Sequence, residues 1–167
     1  DKLKKGVKVK DIENECKIAK EAGLIVHLTM MVGYEWETKK DALKTLELAK
    51  RLMVKGYADV LQSTVVIPYP GTPLYKEGVE KNWFRFDSKT YERFDMREPV
   101  FKTVDMKPEE VMNMCDKIYT KIFLDPRYVL KHLLKIRGVN DIKYTLRGMK
   151  AVIGHIKDFS YKEHKES

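Results

Sequence analysis

The chain has 167 residues, 43% hydrophobic and 35% charged, with a mean hydropathy of -0.47 and a formal net charge of +8. That size supports one domain, or a core with an appendage, and no apolar run approaches the roughly 20 residues of a membrane span. The two cysteines, Cys16 and Cys115, have neither the spacing of a metal site nor a disulfide framework, which fits a reducing cytoplasm.

The positive charge is unevenly placed, with 12 Lys/Arg against 5 Asp/Glu from Lys117 onward. Asymmetry of this kind marks a nucleic-acid or membrane contact in some chains and the solvated faces of amphipathic helices in others. The basic segments lack the aromatic interleaving of a single-strand binder, so solvated helix faces are expected. The first residue is Asp1 and no signal-peptide pattern follows, so the expectation is a piece of a longer protein.

After a short basic lead-in, apolar residues at 12, 16, 19 and 22 predict a helix over about 11–22, stopped by Gly23. Residues 24–32 (LIVHLTMMV) read as a buried strand ending at Gly33. An amphipathic helix over about 38–55 follows, with Leu43, Leu46, Ala49, Leu52 and Met53 as its inner face, and Gly56 ends it. Residues 58–67 form a second strand, cut off by Pro68-Tyr69-Pro70-Gly71-Thr72-Pro73. Alternation at this spacing is the signature of a parallel βαβ unit with a right-handed crossover. A two-stranded parallel sheet cannot stand alone, so further strands are expected outside the sequence.

Beyond Tyr75 the pattern changes. A helical segment is predicted over about 75–82, then a long ordered loop rich in aromatics over 83–104. Pro108, Glu109 and Glu110 suit the first turn of a helix running to about Leu124. Asp125-Pro126 opens another helix, ending near Gly138, and Asn140 or Asp141 opens the last, with Ile142, Leu146, Met149, Ile153 and Ile156 on one face.

The strands carry polar residues where apolar ones are expected. Strand alternation puts His27, Thr29 and Met31 on one face, and Gln62, Thr64 and Val66 on one face of the neighbouring strand. Such groups either line a ligand cavity at the strands' carboxyl ends or are satisfied by neighbours, because an unpaired buried polar group costs about 1–3 kcal/mol. In the first loop, Gly33 allows close backbone approach to a ligand, while Glu37 suits the helix start as a cap or could accept from a ribose. Three prolines stiffen the second loop and leave its carbonyls and Tyr69 available to an adenine edge. Trp83, Phe84, Phe86, Tyr91, Phe94 and Phe101 either cover a large substrate or join the α/β core to the later helices. Neither a nucleophile elbow, a phosphate-cradling Gly-rich loop nor a His/Cys metal spacing occurs.

Lys5-Gly6-Val7, Glu21-Ala22-Gly23, MMVGYEWET (30–38), PYPGTPLY (68–75), DMREPV (95–100) and LDPRYVL (124–130) together carry a resemblance. They resemble the carboxyl-terminal half of radical S-adenosylmethionine (SAM) enzymes, and most of all the subgroup with an upstream cobalamin-binding domain, the anaerobic magnesium-protoporphyrin ester cyclase type. The resemblance implies an α/β chain with the last two strands of a partial (β/α)6 barrel over residues 1–75 and a helical carboxyl-terminal extension over 76–167. It implies Met31 packed on the adenine, Gly33 and Glu37 as the loop glycine and acid, Thr64 beside them, and Ile67, Pro68 and Tyr69 lining the adenine. His27, Thr29 and Gln62 would then face a small-molecule substrate. Full enzymes of this kind cleave SAM reductively at a 4Fe–4S cluster. The Cys-x-x-x-Cys-x-x-Cys that holds the cluster is absent here, and Glu35 stands where the subgroup has Pro. The expectation is therefore a SAM-binding half-site whose cluster, and any cobalamin, belongs to upstream parts of the same polypeptide; by itself the chain would be inert. The competing expectation is a non-catalytic basic α/β module that binds nucleic acid or an acidic protein.

Overall fold

The computed structural model describes residues 6–134 and residue 138. In chain order the elements are α1 (Val9–Glu21), β1 (His27–Val32), α2 (Lys39–Lys55), β2 (Val60–Val65), α3 (Pro73–Glu80), a 3-10 turn (Tyr91–Arg93), α4 (Pro108–Phe123) and α5 (Pro126–Leu133). The helix expected from Asn140 or Asp141 lies outside the described residues, as do the termini.

Local chemistry sets these boundaries. Thr38 caps α2 by accepting from the Asp41 N–H, and Gly56, at φ +76°, closes it in the left-handed region. Thr72 caps α3 in the same way, and Pro73 at its first position moves the helix two residues ahead of the expected start at Tyr75. The Asp125 carboxylate accepts from the Arg127 N–H at 2.9 Å, the predicted cap of α5. At the start of α4 the Glu110 carboxylate reaches back to the Lys107 N–H at 3.0 Å.

β1 and β2 pair in parallel, with His27 opposite Val60, Thr29 opposite Gln62 and Met31 opposite Thr64. The fold is thus α/β, as expected, with a two-stranded parallel sheet and mostly helical surroundings. Both strands are shorter than predicted. Leu24 and Ile25 are exposed ahead of β1, where the Asp59 carboxylate holds the Val26 N–H and the Lys20 ammonium at 2.8 Å each and turns the chain.

Only one face of the sheet is covered within the described residues. Leu28, Val32 and Val65 point into a core built with Ala42, Leu46, Ala49 and Met53 of α2 and with Val111, Met114, Cys115 and Ile118 of α4. Leu43, expected on the inner face of α2, is instead largely exposed; Ala42 takes the inward position. Helix α1 has no buried residue, although Ile12 and Cys16 rest against this core. It is held to α2 by ion pairs from Glu13 to Arg51 and Lys55.

A second apolar cluster joins the two strand-end loops to the 83–101 segment. Phe84 and Phe101 form an isolated antiparallel bridge and are buried with Tyr34, Val66 and Val100. Beside it, the half-buried Arg93 guanidinium grips the buried Glu98 carboxylate through two nitrogens, at 2.5 and 2.7 Å, and lies over the Phe86 ring. Removing apolar volume from the first core should be costly. Leu46→Ala, at a fully buried position of α2, is expected to lower stability by about 2–5 kcal/mol, measured as a fall in the urea midpoint at constant m-value.

Candidate functional site

The parallel register brings the predicted polar residues together. His27, Thr29, Met31, Gln62 and Thr64 occupy one face of the sheet, in adjacent rows, opposite the face that meets α2 and α4. His27, Thr29 and Gln62 are exposed, while Met31 and Thr64, nearer the carboxyl ends, are half-buried. The strands are parallel, so the loops after β1 and after β2 leave from the same end. Residues 33–37 and 66–71 therefore flank the same edge of this open face.

The loop after β1 is closed by its own acid. Gly33 adopts φ +93°, and the Glu37 carboxylate turns back to accept its N–H at 2.6 Å in a buried setting. A Cβ at Gly33 would stand 2.9 Å from a Val111 methyl of α4, so both the backbone angle and the close approach of α4 demand glycine. Glu37 is therefore neither exposed nor the cap of α2, a position that Thr38 fills. Burial raises the Glu37 carboxyl above its usual 4.5, opposed by the backbone hydrogen bonds of Gly33 and Tyr34. Tyr34 stacks on Trp36 at 5.1 Å, and Trp36 meets Trp83 edge-on at 5.9 Å, fixing the loop to the second cluster.

In the second loop Pro68 is buried, Ile67 half-buried and Tyr69 exposed. The Val66 N–H still reaches the Val32 carbonyl at 2.9 Å, so strand pairing runs one residue past the formal end of β2. The Tyr69 carbonyl accepts from the Thr72 hydroxyl at 2.7 Å and from its N–H at 3.2 Å, which leaves the Tyr69 ring as its available part. Among the described residues no donor reaches the Ile67 or Pro68 carbonyl.

Two constellations escaped the sequence reading. Ser63, in the middle of β2, points into the core, where its N–H donates to the Tyr119 hydroxyl at 2.8 Å. Its own hydroxyl finds no well-formed oxygen or nitrogen partner among the described residues and lies by the Cys115 thiol, which burial pushes up to about 12. That Cys115 would be a small core residue was legible; its pairing with Ser63 across about fifty residues was not. The second is the Glu98 grip by Arg93, which has no spacing signature. A cavity of about 200 Å³ between Arg85, Phe101, Met106 and Val111 lies on the α4 side of the loop and includes none of the predicted site residues.

The donor set does not fit a 4Fe–4S cluster. Cys115 is buried with its thiol strongly protonated, Cys16 lies alone on α1, and the sequence has no third cysteine. Among the described residues no group of three or more His, Cys, Asp or Glu side chains is arranged to hold a metal ion, and no helix is long and apolar enough to cross a membrane.

No family model matches the chain. A curated relative, an uncharacterized methyltransferase of Pyrococcus horikoshii, is 26% identical over 145 residues. The likeness is to a methyltransferase. It covers 87% of this chain but only 30% of that relative's length.

Glu37 yields a signed prediction. Its folded pKa lies above the unfolded value, so the folded state binds the proton more tightly. Stability is therefore fullest below the ordinary carboxyl value and falls as pH rises through the raised one. Glu37→Gln should abolish that decline in urea titrations from about pH 4 to pH 8. Glu37→Ala should cost about 1–3 kcal/mol throughout, because it strands the buried Gly33 N–H.

Proposed function

We propose that this chain forms one wall of the SAM site in a longer methyltransferase-like enzyme of the radical SAM class. The observation that carries the reading is the alignment of Met31 with Thr64 on the open sheet face, between two loops that leave from the same end. Residues 1–75 act as the last two strands of a partial barrel and 76–167 as the helical extension over the substrate. The Pyrococcus relative, named a methyltransferase, supports SAM as the ligand, and that relative's greater length supports a larger enzyme.

In this reading Met31 packs against the adenine, with Thr64 beside it. Gly33 shapes the turn at the rim of the site, packed against α4, and Glu37 holds that turn by its grip on the glycine N–H. The Ile67 and Pro68 carbonyls accept from the adenine amino group, and Tyr69 covers the ring. His27, Thr29 and Gln62, two to four residue pairs deeper along the strands, face the substrate. A cluster held by upstream cysteines of the same polypeptide would supply the electron for SAM cleavage, and an upstream domain would hold any cobalamin. No residue of this chain is assigned to that redox step. The expected setting is the cytoplasm, and the expected partner is a small-molecule substrate rather than nucleic acid.

The test is anaerobic reconstitution of the natural polypeptide with iron and sulfide, followed by assay of 5′-deoxyadenosine with SAM and a reductant. Product is expected, and Met31→Ala should raise the SAM Kd by about tenfold, equivalent to about 1.4 kcal/mol. A loaded cluster that leaves SAM intact would overturn the proposal. The isolated chain should produce no 5′-deoxyadenosine.

A further inference from the structure

The cavity beside α4 has a lining that the proposed function does not use. Its volume is about 200 Å³, and the buried side chains of Phe101, Met106 and Val111 give it apolar walls. Arg85 and Lys102 also line it, and among the described residues no acidic side chain does. The space suits one ring and a small head group, since an apolar cavity of about 150 Å³ takes up benzene. Apolar walls beside two cations select a ligand with an apolar body and an anionic head.

The surrounding backbone is held in place before any ligand arrives. Around the Phe84–Phe101 bridge, the Arg85 N–H donates to the Val100 carbonyl at 3.0 Å and the Lys102 N–H to the Trp83 carbonyl at 2.8 Å. Next along the chain, the Thr103 hydroxyl donates to the Met106 carbonyl at 2.6 Å and accepts from the Met106 N–H at 3.2 Å. A site ordered in advance loses little entropy when it is filled.

The Arg85 guanidinium is only partly engaged. Its Nη1 donates to the Pro99 carbonyl at 2.8 Å and to the Glu98 carboxylate at 3.3 Å, and Glu98 is itself held through both oxygens by Arg93. Among the described residues no acceptor reaches the Arg85 Nε or Nη2. Those two nitrogens form the side-on edge of the guanidinium, whose parallel N–H groups match the two oxygens of a carboxylate. The side chain is 22% exposed, so a carboxylate there is less screened than in open water. Lys102 donates to the Asn82 carbonyl at 3.3 Å and has further N–H groups to give.

We propose that this cavity is a ligand site in its own right, which takes a compact monocarboxylate with an apolar body. The carboxylate lies on the Nε–Nη2 edge of Arg85 with Lys102 alongside, and the body rests against Phe101, Met106 and Val111. The site is separate from the polar sheet face. Helix α4 packs on the other face of the sheet, and none of His27, Thr29, Met31, Gln62 or Thr64 lines the cavity. The proposal is indifferent to which ligand the sheet face holds.

Met106 provides the readout. The natural polypeptide that carries this chain is isotopically labelled at its methionine methyl groups, and the Met106 signal is identified by its loss in Met106→Leu. Benzoate is the probe and benzyl alcohol its neutral counterpart. Benzoate is expected to shift the Met106 signal saturably with a Kd of about 1 mM or below, and benzyl alcohol to bind at least about tenfold more weakly. Arg85→Gln, in which Arg93 still holds Glu98, should weaken benzoate by about tenfold and leave benzyl alcohol unchanged. Lys102→Gln, at an exposed position, should weaken benzoate alone by about threefold. Equal affinity for the two probes, or no saturable shift of Met106 up to about 20 mM benzoate, would overturn the proposal. So would a Lys102→Gln protein that keeps the full preference for benzoate, a result that holds even where Arg85→Gln does not fold. Displacement of benzoate by SAM would overturn it too, because the cavity would then belong to the site on the sheet face. Failure of SAM cleavage sinks the proposed function alone, since the Met106 titration needs no cluster.

Discussion

A parallel ladder of two strands leaves half of its backbone groups and both of its faces to be satisfied elsewhere. In this chain the requirement is met on one side by a single packed layer, α2 and α4 laid against Leu28, Val32 and Val65. At one point of that layer Gly33 lies against Val111, where no side chain could be accommodated. Because α4 sits so tightly, Tyr119 comes within hydrogen-bonding reach of β2 and Glu37 is sealed beneath the first loop. The contacts that stabilise the sheet from below also shape the loop that would meet a ligand above.

Much of this was legible because it is local. Thr38 and Gly56 mark the ends of α2, Asp125-Pro126 opens α5, and the alternation of His27, Thr29 and Met31 against Gln62 and Thr64 fixes which side chains share a face. Strand parity settles a face without settling what covers it. Polar residues in an apolar run were read as lining a buried strand, yet His27, Thr29 and Gln62 stand in the open. Leu43 fails for a related reason, since helical periodicity gives a stripe about 100° wide but not the neighbour that decides its phase.

The illegible part is long-range. Ser63 meets Tyr119 from 56 residues away, and Glu98 is fixed by two arginines on a segment without regular period. Glu37 is intermediate. Its place beside a glycine turn was visible, but its return to Gly33 and its burial depend on α4, more than seventy residues later. The aromatic segment over 83–101 offered two readings, and its buried bridge between Phe84 and Phe101 packs it against the two strand-end loops and α3.

The placement of the indole rings has a practical consequence. The chain has two tryptophans, and Trp36 and Trp83 touch one another at the junction of the first loop with the aromatic cluster. Intrinsic emission excited at the red edge therefore comes from one spot, beside Glu37 and within the second apolar cluster rather than the first. The molecule has a built-in optical reporter on the loop, and a shift in its colour would record movement of that loop.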